Sequence, residues 1–126
     1  MITGGWSAGI PRPSQRVEIY NPKTNTSCLL PNLPDSRRSH TIVDGVICGG
    51  SDNVARTSCV DMSSGTWSSD KYAEIRNRGG HVSWNLNPGT SFMLLSGWDN
   101  DSKKTTEIVH LDGRVEPGFN LQYDIR

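Results

Sequence analysis

Three histidines and three cysteines carry most of the chemistry this chain could offer: His40, His81 and His110, and Cys28, Cys48 and Cys59. An imidazole can act as a general base or a metal ligand, and a thiolate as a nucleophile or a zinc ligand. Their spacing supports neither role. There is no Cys-x-x-Cys pair, and the histidines lie far from the cysteines in sequence, whereas structural zinc needs clustered pairs. No serine sits in a Gly-x-Ser-x-Gly elbow. No glycine-rich phosphate loop opens a helix, because no segment keeps a helical period. His40 and His81 follow Arg37 and Arg78, and both pairs repeat at 41 residues. A catalytic histidine is usually unique, so the recurrence assigns these two to structural hydrogen bonds, and His110 to the surface of a strand. The expectation is no catalytic residue, no metal site and no cofactor.

The elements that must position these residues are short strands. The chain has 126 residues, a one-domain length. Thirteen basic and thirteen acidic residues give a formal net charge of 0, with no basic surplus to suit nucleic acid or an anionic membrane. Thirteen glycines and seven prolines interrupt the chain too often for a helical bundle. The longest apolar run, Phe92–Leu95, falls far short of the ~20 residues of a membrane helix. Met1 is followed at once by Ile-Thr-Gly-Gly, which reads as the middle of a repeat. The chain is therefore expected to be a piece of a longer polypeptide, and the lack of a signal peptide says little about localisation.

Alternation and turn residues mark the strands. Met1–Gly5 is a strand ending in a double glycine, and Trp6–Gln15 a loop. Arg16–Tyr20 and Thr26–Leu30 are strands around the turn Asn21–Asn25. Pro31–Pro34 crosses to the next unit. There, Ser39–Asp44, Gly45–Gly50, Thr57–Met62 and Thr66–Ser69 are four strands, with Ser51–Arg56 as a loop. The polar stretch Ser68–Asn77 leads to Gly80–Leu86, Ser91–Gly97, Thr105–Leu111 and Val115–Leu121. Pro117-Gly118 weakens the last of these.

The repeat is anchored on Gly5, Gly50 and Gly97, which are 45 and 47 residues apart. An apolar run ends at each, as Gly-Gly twice and as Ser96-Gly97 once. Third-strand apolar positions follow at Tyr20, Val60 and Val109, then Cys28, Trp67 and Val115. Only the middle unit has nearly every landmark, including a fourth-strand tryptophan at Trp67. This pattern resembles the kelch repeat, whose units run ~50 residues, and it lacks the Gly-His and Trp-Asp of the WD40 repeat. The resemblance implies an all-β fold: a kelch-type β-propeller segment of four-stranded antiparallel blades. One partial propeller domain would divide into a partial blade over 1–34 and blades over 35–77 and 78–126. It assigns structural roles to Gly5, Gly50, Gly97, Arg37, His40, Arg78, His81 and Trp67. Glycine suits a strand end that needs positive φ and close backbone approach, and a large aromatic fills the wedge between splayed blades.

The implied function is a non-enzymatic structural or protein-binding module of a larger secreted protein or assembly. Two alternatives share the fold: a non-catalytic segment of a galactose-oxidase-like enzyme, and the substrate-binding propeller of an intracellular ubiquitin-ligase adaptor. Binding is expected on the face formed by loops that leave second strands and enter first strands, with Trp6, Arg12, Arg56 and Trp98 as candidate contacts. Pairing Gly50 with Thr57 sets Cys48 opposite Cys59, close enough for a cross-strand disulfide. That would place the protein outside the cell and leave Cys28 without a partner in this segment. The matching positions elsewhere read as Thr3 with Ile19 and Leu95 with Ile108. Asn25 and Asn100 fit the short N-glycosylation pattern. A propeller needs at least ~4 blades, so bare faces at both ends call for neighbours. A further part of the polypeptide, a different chain or a homo-oligomer could supply them.

Overall fold

The computed structural model describes residues 2–3, 14–52, 54–99 and 102–123, with the backbone alone at 2–3 and 54–55. Its elements are strands, and no helix occurs among the described residues. The first sheet holds β1 (Ile2–Thr3), β2 (Val17–Asn21) and β3 (Thr26–Leu30) in that order. The middle sheet holds β4 (Thr41–Val43), β5 (Val46–Cys48) and β8 (Cys59–Val60), with a hairpin of β6 (Ser51–Asp52) and β7 (Val54–Ala55) projecting from it. The third is a four-stranded meander of β9 (Val82–Asn87), β10 (Ser91–Leu95), β11 (Thr106–His110) and β12 (Val115–Pro117). Every pairing is antiparallel.

Turn chemistry sets the connections. Asp44 and Gly45 both take positive φ, 49° and 77°, as a two-residue hairpin between β4 and β5 requires. Asn25 closes the β2–β3 turn at φ 53° and accepts a hydrogen bond from the Tyr20 hydroxyl at 2.8 Å.

Two cores separate the three sheets, and β5 feeds both. Ile47 packs with Val17, Leu33, Val60 and Trp67, between the first and middle sheets. Val46 and Cys48 turn the other way, onto Tyr72, Ile75, Phe92, Leu94 and Val109. Period-two alternation thus buries both faces of the middle sheet. Backbone bonds stitch the second seam: Gly50 donates to the Arg78 carbonyl (2.7 Å) and Gly80 to that of Ser39 (3.0 Å).

The structure corrects several sequence expectations. The segment 51–56, read as a loop, contains the β6–β7 hairpin, because Arg38 and Ser51 exchange backbone bonds of 3.1 and 2.9 Å that hold the chain extended. The fourth strand of the middle unit shrinks to one bridge, Asp61 with Ser68. The Trp67 indole turns inward there and donates to the Pro31 carbonyl at 2.9 Å. The last strand stops at Pro117, beyond which Gly118 makes one more bond, to the Thr106 carbonyl at 2.9 Å.

The cross-strand matches also shift. Thr3 pairs with Val17 and Leu95 with Thr106, not with Ile19 and Ile108. By the same register Val60 corresponds to Glu18 and Glu107, not to Tyr20 and Val109. Each slip is two residues, which keeps the side chain on the same face, so hydrophobic patterning alone does not detect it.

Candidate functional site

The repeated arginines build the same clamp twice. Arg37 and Arg78 are fully buried. Arg37 Nη1 donates to the carbonyls of Gly49 (3.1 Å) and Ser58 (3.0 Å), and Nη2 donates to Ser58 Oγ (2.6 Å). Arg78 Nη1 donates to the carbonyls of Ser96 (2.7 Å) and Thr105 (3.1 Å), and Nη2 to Thr105 Oγ1 (2.9 Å). Ser96 and Thr105 each stand 47 residues after Gly49 and Ser58. Each guanidinium therefore ties the end of a second strand to the start of the third in the sheet that its arginine leads into. Both guanidinium groups thus bond strand ends within one sheet rather than across a seam.

A buried guanidinium needs an anion, and the two clamps find it in different places. Asp35 lies 2.6 Å from Arg37 Nε. Glu107, on β11, lies 2.9 Å from Arg78 Nε and also accepts from the Arg76 backbone N–H at 2.9 Å. Burial pulls the Arg78 pKa below its ordinary value, and Glu107 opposes that shift. Neither acid was picked out from the sequence. Only the Ser58–Thr105 spacing, equal to that of Gly50 and Gly97, could have pointed to the clamp's hydroxyls.

The histidines sit on glycines. A Cβ on Gly49, at φ 65°, would stand 2.7 Å from His81 Cε1, and one on Gly50, at φ 87°, 2.9 Å from His40 Cβ. His81 Nε2 hydrogen-bonds Thr41 Oγ1 across the seam at 2.8 Å. Burial, helped by the Arg78 charge and by His40, lowers its pKa from 6.5 to about 4, so the ring is neutral at pH 7. Ser96 adopts φ 63° at the position of Gly49, and its hydroxyl donates to the Lys103 carbonyl at 2.8 Å. That bond offsets a conformation glycine would take freely. His110, expected at the surface, is partly buried, and its Nε2 lies 3.4 Å from a Glu116 carboxylate oxygen.

Cys48 and Cys59 are joined by a disulfide, with Cα atoms 4.1 Å apart. The adjoining Gly49 N–H bonds the Ser58 carbonyl at 3.1 Å. Cys48 and Cys59 therefore form the neighbouring non-hydrogen-bonded pair, in which side chains approach most closely. Both are fully buried in the second core. Cys28 is exposed and free.

Loops after second strands and before first strands collect at one end of the stack. Trp98 donates its backbone N–H to the Gly79 carbonyl at 2.9 Å and lays its indole on Gly79 and Gly80. A Cβ at Gly80 would run into the ring. The indole is still 44 % exposed. The β6–β7 hairpin lies at the same end. Beside it, Arg56 donates to the Ser36 carbonyl at 3.4 Å and lies 3.9 and 3.8 Å from the carboxylates of Asp35 and Asp52. Trp6, Arg12, Gly5 and Asn100 lie outside the described residues. Asn25 is at the opposite end of the stack, in the β2–β3 turn.

The other unforeseen polar cluster is Asp61, which accepts from Tyr72 Oη (2.8 Å) and Ser63 Oγ (2.8 Å), with Lys71 Nζ at 3.7 Å. Burial raises the Asp61 pKa, but those hydrogen bonds and the Lys71 charge outweigh it and the net shift is downward. Tyr72 is pushed upward by burial and by Asp61. Among the described residues no three His, Cys, Asp or Glu side chains group as metal ligands would.

The family profile described as the Kelch motif matches residues 1–34, which include the three strands of the first sheet, rather than the middle unit with the most landmarks. No curated protein matches the chain.

Proposed function

We propose that this chain, a segment of a kelch-type β-propeller, is a non-enzymatic module that binds a protein through the loops around Trp98. The carrying observation is Trp98 itself. Its ring is half exposed yet seated on Gly79 and Gly80, so a partner would find it already ordered. Large, rigid aromatics are typical anchors of interfaces, and little entropy is lost when they are fixed beforehand. Arg56 and the β6–β7 hairpin flank it, as recognition loops on a rigid scaffold do.

The Cys48–Cys59 disulfide supports placing the protein in an oxidising compartment, outside the cytosol. It weighs against the intracellular ubiquitin-ligase adaptor, whose thiols would be kept reduced. No helix among the described residues is long and apolar enough to cross a membrane.

The test is a capture from extracellular fluid on immobilised wild-type chain and on Trp98→Ala at equal loading. The proposal expects a protein retained by the wild type and weakened at least about tenfold by the substitution, with melting temperature unchanged. Equal recovery on both surfaces would exclude Trp98 as the anchor.

A further inference from the structure

Asn25-Thr26-Ser27 lies far from the proposed binding loops and has no part in them. It fits Asn-x-Ser with a middle residue other than proline, the acceptor pattern for N-linked oligosaccharide, which secreted proteins carry on surface loops. Asn25 closes the β2–β3 turn, and residues 21–29 are all exposed.

The middle blade shows that a turn at this place stays open when neighbours are packed on both sides. Asp61 bridges Ser68 there as Ile19 pairs with Cys28, so the turn at 63–66 matches the turn at 22–25. The middle blade buries both of its faces, yet residues 63–66 are exposed. A Cβ added at Gly65 would meet nothing within 4 Å. The first blade's turn therefore has room for a large substituent whether or not further blades adjoin it.

The side chain is held ready for attachment. The Tyr20 hydroxyl donates to Asn25 Oδ1 at 2.8 Å, which orients the amide and leaves Nδ2 to carry a substituent. A glycosylated amide keeps Oδ1, so this bond survives the modification. The sugar would also stand at the end of the stack opposite Trp98, clear of the binding loops. The second Asn-x-Ser pattern, at Asn100, differs on both counts. Its Ser102 is fully buried, with Oγ donating to the Asp99 carbonyl at 3.2 Å, and it begins two residues after Trp98 in sequence.

We propose that Asn25 carries an N-linked glycan. The proposal rests on the oxidising compartment read from the Cys48–Cys59 disulfide. In the transfer, Nδ2 forms a bond to the anomeric carbon of an oligosaccharide donor carried on a lipid diphosphate. The bond from that carbon to the diphosphate oxygen breaks, and the lipid diphosphate leaves with the electron pair. One Nδ2 proton passes to solvent, and nothing is oxidised or reduced.

The test is to produce the chain through the secretory pathway of a eukaryotic cell and map its unreduced peptides by mass spectrometry. The expected result is a glycopeptide containing Asn25, whose sugar an N-glycan amidase removes to leave an aspartate at that position. Asn25→Gln and Ser27→Ala should each abolish the modification, and Ser27→Thr should keep it. Ser27 is exposed, so its two variants should melt like the wild type, and Ser27→Ala decides the matter should Asn25→Gln lose its fold at φ 53°. An unmodified Asn25 would overturn the proposal, and an intact Cys48–Cys59 cross-link in the same map would show that the fault lies with the glycan and not with the compartment. A glycan on Asn100 alone would overturn it too. A modified Asn25 with Cys48 and Cys59 reduced would support the glycan and remove the disulfide as the ground for the compartment.

Discussion

Arg78 and Glu107 form a buried ion pair, 2.9 Å from Nε to Oε1, with side chains 0 % and 9 % exposed. The pair fixes the entry of the third blade, since the same guanidinium also holds the carbonyls of Ser96 and Thr105. Removing one partner leaves a buried charge unpaired. Glu107→Ala should therefore cost about 3–5 kcal/mol of unfolding free energy. A Glu107→Gln replacement keeps an acceptor and should cost less. Urea titration followed by tryptophan fluorescence measures both. A loss for Glu107→Ala no larger than that of an exposed control such as Glu116→Ala would contradict the clamp.

Two glycines with similar φ should respond very differently to alanine. Gly45 has φ 77° and nothing within 4 Å of an added Cβ, so Gly45→Ala carries the left-handed strain alone, about 1 kcal/mol. Gly49 has φ 65°, and its Cβ would press on the Arg78 carbonyl and on His81. Strain plus overpacking should bring Gly49→Ala to about 3 kcal/mol or more. Thermal melts of the two variants side by side decide it.

His81 predicts the acid limb of stability. Its folded pKa of about 4 lies below the ordinary 6.5, so the unfolded chain binds the proton more readily. Stability is full above pH 6.5 and declines as pH falls toward 4, by up to the order of 3 kcal/mol. Asp61, shifted downward from 3.8, adds its loss only below that window. His81→Gln, which can still meet Thr41, should flatten the profile between pH 6.5 and 4. An unchanged slope would show that His81 does not take up the proton.

The glycine markers made the repeat legible because φ > 0 and tight backbone approach leave few other residues at those positions. Cys48 opposite Cys59 was legible because Gly50 fixed the register of that hairpin. Register in the flanking units was not, since Ile19 and Ile108 lie two residues from Val17 and Thr106 on the same face. The clamps were half legible. Arg37 and Arg78 announce themselves by period, whereas Glu107 lies 29 residues from Arg78 and reaches it only through the fold. Trp98 could be placed next to a glycine marker, but its seat on Gly79 and Gly80 comes from a turn of chain in the preceding crossover.

Thiol mapping should separate the three cysteines. Cys28 is exposed and should alkylate in native protein, whereas Cys48 and Cys59 should react only after reduction and unfolding. Replacing both with serine should cost about 2–4 kcal/mol, from the released cross-link and from hydroxyls placed in an apolar core. Mass spectrometry of unreduced peptides is the check, and native alkylation of Cys48 would contradict the pairing.

Hydrogen exchange with a captured partner bound tests the central claim most directly. The account predicts slowed exchange in segments 31–37, 51–56 and 98–105, at the end of the stack that carries Trp98. Protection confined to the turns at 22–25, 44–45, 88–90 and 112–114, at the opposite end, would contradict it.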